Sequence, residues 1–175
     1  MEKLVLVGVV TAVFLSGCAS TGGSPELAQC LQPNRRVVVE IGGSKPGKPP
    51  KPKPGQKAKK PKAQPVMVRV LAQGDSAWDS GKAVLKDGGK AELDKVLKTA
   101  KEGTKKDPRP TTISSVIITG HTDRLEAADG NESLAEDRAK AVKDYLVSNG
   151  VDSKLIFWEG KGARDPVPVT KFCAD

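Results

Sequence analysis

The stretch ISSVIITGHTDR, residues 113–124, decides the fold together with NESLAEDRAKAVKDYLVSN, residues 131–149. The first is rich in β-branched residues and predicts a strand over 113–119. The second predicts a helix over 131–149 that Gly150 ends, because its apolar residues recur at helical spacing: Leu134, Ala141, Val142, Tyr145 and Leu146. Asp123 therefore lies where the strand leaves its sheet, close to the start of the helix.

The rest of the chain adds three strands and a second helix. We predict a short helical turn over 24–34 and a strand over 36–41 that Gly42-Gly43 ends. Further elements are predicted from β-branched runs and helical spacing: a strand at 66–71, a helix at 91–100 and a strand at 154–158. This order predicts an α+β or α/β sandwich in which two helices cover one sheet.

Arg138 falls on the apolar stripe of the predicted helix 131–149. A guanidinium there loses part of its hydration and needs a partner, for which Asp123 is the nearest candidate. One interpretation is a structural ion pair between helix and strand. The other is a receptor for a zwitterion, in which the carboxylate binds an ammonium group and the guanidinium binds a carboxylate. The residues alone leave both open.

The motif ITGHTDR at 118–124, with Asn131, Leu134 and Arg138-Ala139, resembles the OmpA-like peptidoglycan-binding domain family. That family includes the peptidoglycan-associated lipoprotein and flagellar stator proteins. GKGARDP at 160–166 resembles the family's glycine-rich segment, and WDSGKAVL at 78–85 resembles its opening segment. The resemblance covers residues 66–175 and one further piece. It implies the α+β fold of that family, a sandwich in which a mixed four-stranded sheet carries two main helices on one face.

The resemblance implies binding to peptidoglycan through meso-diaminopimelate in the stem peptide. Asp123 would pair with an ammonium group, Arg138 would hold a carboxylate, and Asn131 with nearby amides would orient the ligand. Thr122 also belongs to the implied site, and Arg35 or Arg36 would flank it. Two residues depart from the family pattern, Glu126 at a common glycine and Ala135 at a common serine. We expect neither to touch the Asp123–Arg138 pair.

The further piece, CLQPNRRVVVEI at 30–41, resembles the last strand of the family but comes first in this chain. The sequence is therefore interpreted as a circular permutation of the family fold. Cys30 and Cys173 are the pair of cysteines that remains beside Cys18, and in an exported protein such a pair predicts a disulfide. In the permuted domain this disulfide would rejoin the cut covalently.

The N-terminus predicts export and lipidation. The apolar run 4–17 is too short to span a bilayer, which needs roughly twenty residues, and it predicts a signal peptide over 1–17. Leu15-Ser16-Gly17-Cys18 resembles a lipobox, in which a peptidase cuts before the cysteine and the sulfur of Cys18 is acylated. Ala19 after it favours sorting to the outer membrane. The alternative is an ordinary signal peptide cut elsewhere, with Cys18 as a plain thiol.

The net charge of +8 comes from one segment. Residues 42–65 hold eight of the 29 Lys and Arg and no acid, so the remaining 29 − 8 = 21 basic residues balance the 21 acidic ones. This segment is rich in Lys, Pro and Gly and predicts an extended linker. The N-terminal piece 18–41 and the segment 66–175 then form the domain. An aromatic content of only 3% argues against a stacking platform for single-stranded nucleic acid.

We predict a non-enzymatic outer-membrane lipoprotein, facing the periplasm, that tethers peptidoglycan to outer-membrane lipid through acylated Cys18. His121 beside Asp123 has no nucleophile or second base with it, and no metal or cofactor site is predicted. The first alternative is an envelope lipoprotein of the same fold that binds a protein partner. The second is a hydrolase of cell-wall material.

Overall fold

A computed structural model describes residues 24–48, 61–126 and 131–169. Its helices are α1 (Pro25–Cys30), α2 (Asp87–Glu102) and α3 (Asn131–Ser148), with single 3₁₀ turns at Gln32–Asn34 and Ser153–Leu155. Its strands are β1 (Arg36–Lys45), β2 (Gln64–Gln73), β3 (Thr112–His121) and β4 (Ile156–Gly160). The predicted signal peptide, Cys18, Cys173 and half of the predicted linker (residues 49–60) lie outside the described residues.

The four strands form one mixed sheet in the order β2-β1-β3-β4. β1 is antiparallel to both β2 and β3, whereas β3 and β4 are parallel. β1 is buried on both faces, which agrees with its continuous run of Val and Ile. The α+β class with a mixed four-stranded sheet is therefore confirmed.

The core lies between one face of the sheet and both long helices. Alternate strand residues face the helices because successive side chains of a strand point to opposite sides. The sheet contributes Val37, Val39, Ile41, Val70, Ala72, Val116, Ile118 and Ile156. α2 covers β2 with Leu93 and Leu97, and α3 covers β3 and β4 with Ala139, Val142 and Leu146.

β1 continues past the point where the sequence predicted its end. Gly42-Gly43 was expected to stop the strand, but pairing with β2 runs on to Lys45 opposite Gln64. The register between β1 and β3 shifts at Gly42/Gly43, and a Cβ on Gly43 would come within 2.6 Å of the carbonyl oxygen of Thr112. The glycine therefore permits a close approach of β3 inside the sheet.

α3 lies unusually close to the end of β3. A Cβ on Gly120 would stand 1.9 Å from the carbonyl oxygen of Ala135, so only glycine fits beneath this turn of the helix. Ala135 is fully buried at the contact. This approach brings the first turns of α3 over the residues that follow β3, where the predicted site lies.

Candidate functional site

The site forms where β3 ends and β1 begins. Because the two strands are antiparallel, Arg36 pairs with His121, and the residues just outside this pair meet. Arg35 precedes β1, and Thr122 and Asp123 follow β3. All three are at least 95% buried. The structure thus brings Arg35, Thr122 and Asp123 together at one end of the sheet.

Asp123 is a buried carboxylate whose pKa is raised. Its Oδ1 accepts a hydrogen bond from the backbone N–H of Leu125 at 2.8 Å, and its Oδ2 lies 3.2 Å from the Nε of Arg35. Burial raises the pKa of Asp123, and the negative charge of Glu126 raises it further against the opposing effects of Arg35 and backbone amides. Ionisation of Asp123 in the folded protein therefore carries an energetic cost.

The guanidinium of Arg35 contacts three oxygen-bearing groups. Its Nη1 lies 2.9 Å from a carboxylate oxygen of Asp75, and its Nη2 donates to the carbonyl of Ala28 at 3.2 Å. Its Nε is near Asp123, but the N–H does not point at the oxygen. Among the described residues, this Nε is the buried side-chain nitrogen left without a hydrogen bond. The Arg35–Asp123 contact is therefore an ion pair of poor hydrogen-bond geometry.

Arg138 does not pair with Asp123, so the predicted partner is wrong. Its Nη1 and Nη2 donate to the two oxygens of Glu126 at 2.6 and 2.5 Å, and both side chains are fully buried. The expectation that Glu126 leaves the charge pair untouched is also wrong. Glu126 lies three residues beyond Asp123, and its carboxylate meets the planar guanidinium in bidentate geometry.

The segment before α2 completes the surroundings of Arg138. Nε donates to the carbonyl of Lys82 at 2.9 Å, and Nη2 also donates to the carbonyl of Asp79 at 3.2 Å. The guanidinium lies over the ring of Trp78, 5.5 Å from its centroid. Trp78 is itself fully buried and donates its indole N–H to the carbonyl of Ala72. Trp78 is therefore a core residue that supports Arg138.

Arg36 lies on the opposite face of the sheet from the core, and its described hydrogen bonds run to Asn34 Oδ1 and the carbonyl of Asp165. The structure therefore brings Arg35, but not Arg36, to Asp123. Burial lowers the pKa of Arg36, and the charge of Arg69 adds to this effect. Burial and the charge of Arg36 likewise lower the pKa of His121, which favours its neutral form.

The remaining predicted site residues occupy the expected elements. Thr122 donates its backbone N–H to the carbonyl of Gly162 at 3.0 Å, which joins the end of β3 to the glycine-rich segment 160–166. Asn131 begins α3, but its side chain lies outside what is described. Cys30, at the end of α1, is disulfide-bonded, whereas Cys173 lies outside the described residues.

In the described ranges 24–48, 61–126 and 131–169, no group of three or more His, Cys, Asp or Glu side chains could hold a metal ion. Within those same ranges, every helix is too short or too polar to cross a membrane.

The profile of one protein family matches this chain over residues 77–172, more than half of its length. The chain belongs to the OmpA family. Outer membrane protein A of Bordetella avium is 35% identical over 112 residues, which cover 64% of this chain and 54% of that protein. Outer membrane protein A of Escherichia fergusonii is 36% identical over 93 residues, which cover 53% of this chain and 36% of that protein. The OmpA-family relatives are thus matched over about half of their length or less.

One solved structure is also similar, the OmpA-like domain of FopA1 from Francisella tularensis subsp. tularensis SCHU S4. It is 26% identical, with a TM-score of 0.43, and the match covers 57% of this chain and 61% of that one. The range matched to the OmpA family, residues 77–172, includes Asp123, Glu126 and Arg138. Strands β1 and β2 precede this range.

Proposed function

We propose that this protein is an outer-membrane lipoprotein that binds peptidoglycan non-covalently and so tethers the outer membrane to the cell wall. Membership of the OmpA family supports an envelope role, because the relatives are named as outer membrane proteins. The observation that carries the proposal is the cluster of buried opposite charges at the end of β3. Asp123, Arg35 and Arg138 lie there with almost no exposure to water.

The proposed ligand is the meso-diaminopimelate of the stem peptide, whose free head group carries an ammonium and a carboxylate. Asp123 would accept the ammonium, since the pKa of its buried carboxylate is raised and a new cation would relieve that cost. Arg138 would receive the carboxylate, and Arg35 would flank it. Thr122 and Asn131 complete the proposed site, and Arg36 is left out because it lies on the opposite face.

The proposed membrane attachment rests on the N-terminus. Residues 1–17 would be removed as a signal peptide, and Cys18 would carry the lipid that anchors the chain in the outer membrane. Several acyl chains hold a protein stably in a bilayer, whereas a single chain binds only marginally. The domain would then face the periplasm, where the wall is within reach.

The proposed circular permutation rests on the position of β1. This strand precedes the residues matched to the OmpA family, yet it lies inside the sheet and pairs with both β2 and β3. We propose that it replaces a strand that other family members carry at their C-terminal end. A disulfide from Cys30 to Cys173 would then reconnect the two ends of the permuted fold.

Co-sedimentation with purified sacculi tests this function. The full chain, purified in detergent, is expected to sediment with the sacculi, and Asp123→Asn is expected to stay in the supernatant. Asp144→Asn is the matched control, because it makes the same substitution at an exposed position of α3. Equal sedimentation of both variants would exclude Asp123 from the site, and a parent chain that never sediments would overturn the function.

The alternative is an envelope lipoprotein of the same fold whose partner is a protein. The observation that favours it is the bond between Glu126 and Arg138, since this guanidinium is already paired. Failure of the folded parent chain to sediment with sacculi would favour this alternative. Release of soluble wall fragments in the same assay would instead indicate a hydrolase.

A further inference from the structure

The atoms around Glu126 form a complete receptor for a carboxylate. Oε1 accepts from Arg138 Nη2 at 2.5 Å and from the backbone N–H of Gly81 at 3.1 Å. Oε2 accepts from Arg138 Nη1 at 2.6 Å and from the backbone N–H of Asp123 at 3.2 Å. Each oxygen thus has one guanidinium donor and one amide donor, the arrangement in which charge-assisted hydrogen bonds are strongest.

Contacts other than those of Glu126 also hold the guanidinium of Arg138. The carbonyls of Lys82 and Asp79 hold the guanidinium of Arg138, and the ring of Trp78 supports it from one side. The two amides belong to the backbone. A carboxylate from another molecule would therefore find the same four donors in the same places, provided that the side chain of Glu126 were absent.

We infer that Glu126 is an internal ligand, which occupies the slot that a carboxylate of the peptidoglycan stem would take on Arg138. The inference rests on the proposed function and deepens it. The carboxylate of Glu126 and a carboxylate from the ligand exclude each other, because Nη1 and Nη2 of Arg138 already donate to the two oxygens of Glu126. The protein in its self-bound state thus has reduced affinity for a free carboxylate, and Glu126 sets that affinity.

Chemical rescue tests the slot itself. Glu126→Gly removes the equivalent of one propionate, together with the four hydrogen bonds that this carboxylate accepts. Propionate is expected to raise the melting temperature of this variant in the full chain, whereas chloride at equal ionic strength and neutral propionamide are expected to leave it unchanged. The parent chain and Glu126→Gln are the matched controls, because each still fills the slot and should show no response to propionate.

Binding of free meso-diaminopimelate tests the competition. Isothermal titration is expected to show that Glu126→Gly binds about tenfold more tightly than the parent chain, or better, because the cost of displacing the internal carboxylate is removed. Glu126→Gln should fall between them, since its neutral amide holds Arg138 less strongly. If Glu126→Gly fails to fold even in propionate, the comparison of Glu126→Gln with the parent decides, and equal affinities overturn the inference.

The outcomes separate the inference from the function on which it rests. A folded Glu126→Gly variant that ignores propionate overturns the slot. Equal diaminopimelate affinity in the parent and Glu126→Gly, with the parent still bound to sacculi, overturns the competition and leaves the function intact. Rescue by propionate with no binding of diaminopimelate or sacculi by either protein overturns the peptidoglycan function and leaves the carboxylate slot.

Discussion

At the scale of single residues, the pair of Arg138 and Glu126 joins three parts of the domain. The arginine belongs to α3, the glutamate follows β3, and the carbonyls of Asp79 and Lys82 precede α2. Removing one partner of a fully buried pair leaves the other charge without compensation, which is far more costly than losing an exposed pair. The same residues therefore govern both the stability and the proposed binding.

Arg138→Met should lower the free energy of unfolding by about 3–5 kcal/mol, because it strands the buried carboxylate of Glu126. Urea denaturation measures this loss. Lys140→Met, at an exposed position of the same helix, is the matched control and should change stability little. A double variant with Glu126→Leu should lose less than the sum of the two single changes. A loss in Arg138→Met no larger than in Lys140→Met would contradict this account.

Asp123→Asn should stabilise the folded protein at neutral pH. The pKa of Asp123 is raised in the folded state, so folding opposes its ionisation, and stability falls as pH rises through that pKa. Asparagine removes the charge and keeps an acceptor for the Leu125 amide. The gain should disappear below the ordinary pKa of an aspartate, where the parent carboxyl is protonated as well. Thermal unfolding across pH measures the difference, and a gain that persists in acid would refute this cause.

The sequence located Asp123 and Arg138 at the same end of the fold but did not predict their partners. The apolar stripe of residues 131–149 indicated that Arg138 is buried, and the end of the strand located Asp123 beside it. Two carboxylates, Asp123 and Glu126, lie within three residues of each other, and spacing alone cannot decide which one reaches the guanidinium. The available signal was the acid at position 126, where the family commonly has glycine, close to a buried arginine.

At the scale of elements, the contact between β3 and α3 positions the site. Gly120→Ala should destabilise the fold by about 2 kcal/mol or more, because its methyl group meets the backbone of Ala135 and overpacked contacts must shift. Gly42→Ala is the matched control, since the nearest atom there is the hydroxyl of Ser115, which can rotate away. Chemical denaturation compares the two. Equal stability of the two variants would show that α3 tolerates displacement.

The elements themselves were largely predictable, with errors at their ends. Patterns of β-branched residues located all four strands, and helical spacing located both long helices. α2 begins at Asp87, before the predicted start at residue 91. Gly88 and Gly89 are poor helix formers, so this first turn gives no helical signal in the sequence. Both glycines are accepted there since the chain packs tightly against Ser76 and Ala77. β1 extends beyond its predicted end at Gly42-Gly43 because hydrogen bonding to the neighbouring strands outweighs the low strand preference of glycine.

At the scale of the whole molecule, the proposed Cys30–Cys173 disulfide closes nearly the full length of the domain. Peptide mapping without reduction should recover the two cysteines in one linked fragment. Cys173→Ser should lower the free energy of unfolding by about 2–5 kcal/mol, the usual cost of losing a native disulfide. Cys18→Ser is the control, because it removes the proposed lipid attachment but keeps both proposed disulfide cysteines, and it should leave the unfolding of the domain unchanged. A linked fragment that joins Cys30 to Cys18 would contradict the pairing.

The hairpin between β1 and β2 has a further consequence. Lys45 pairs with Gln64, and Gly47 lies so close to Lys62 that a Cβ there would touch the carbonyl of Lys62. The chain therefore leaves the sheet and returns to it at one place. The length of the segment between these two points does not increase how far the domain reaches from the membrane. Insertion of a foreign folded domain at this place, a fluorescent reporter for example, should therefore leave the sheet and the site at its opposite end in position.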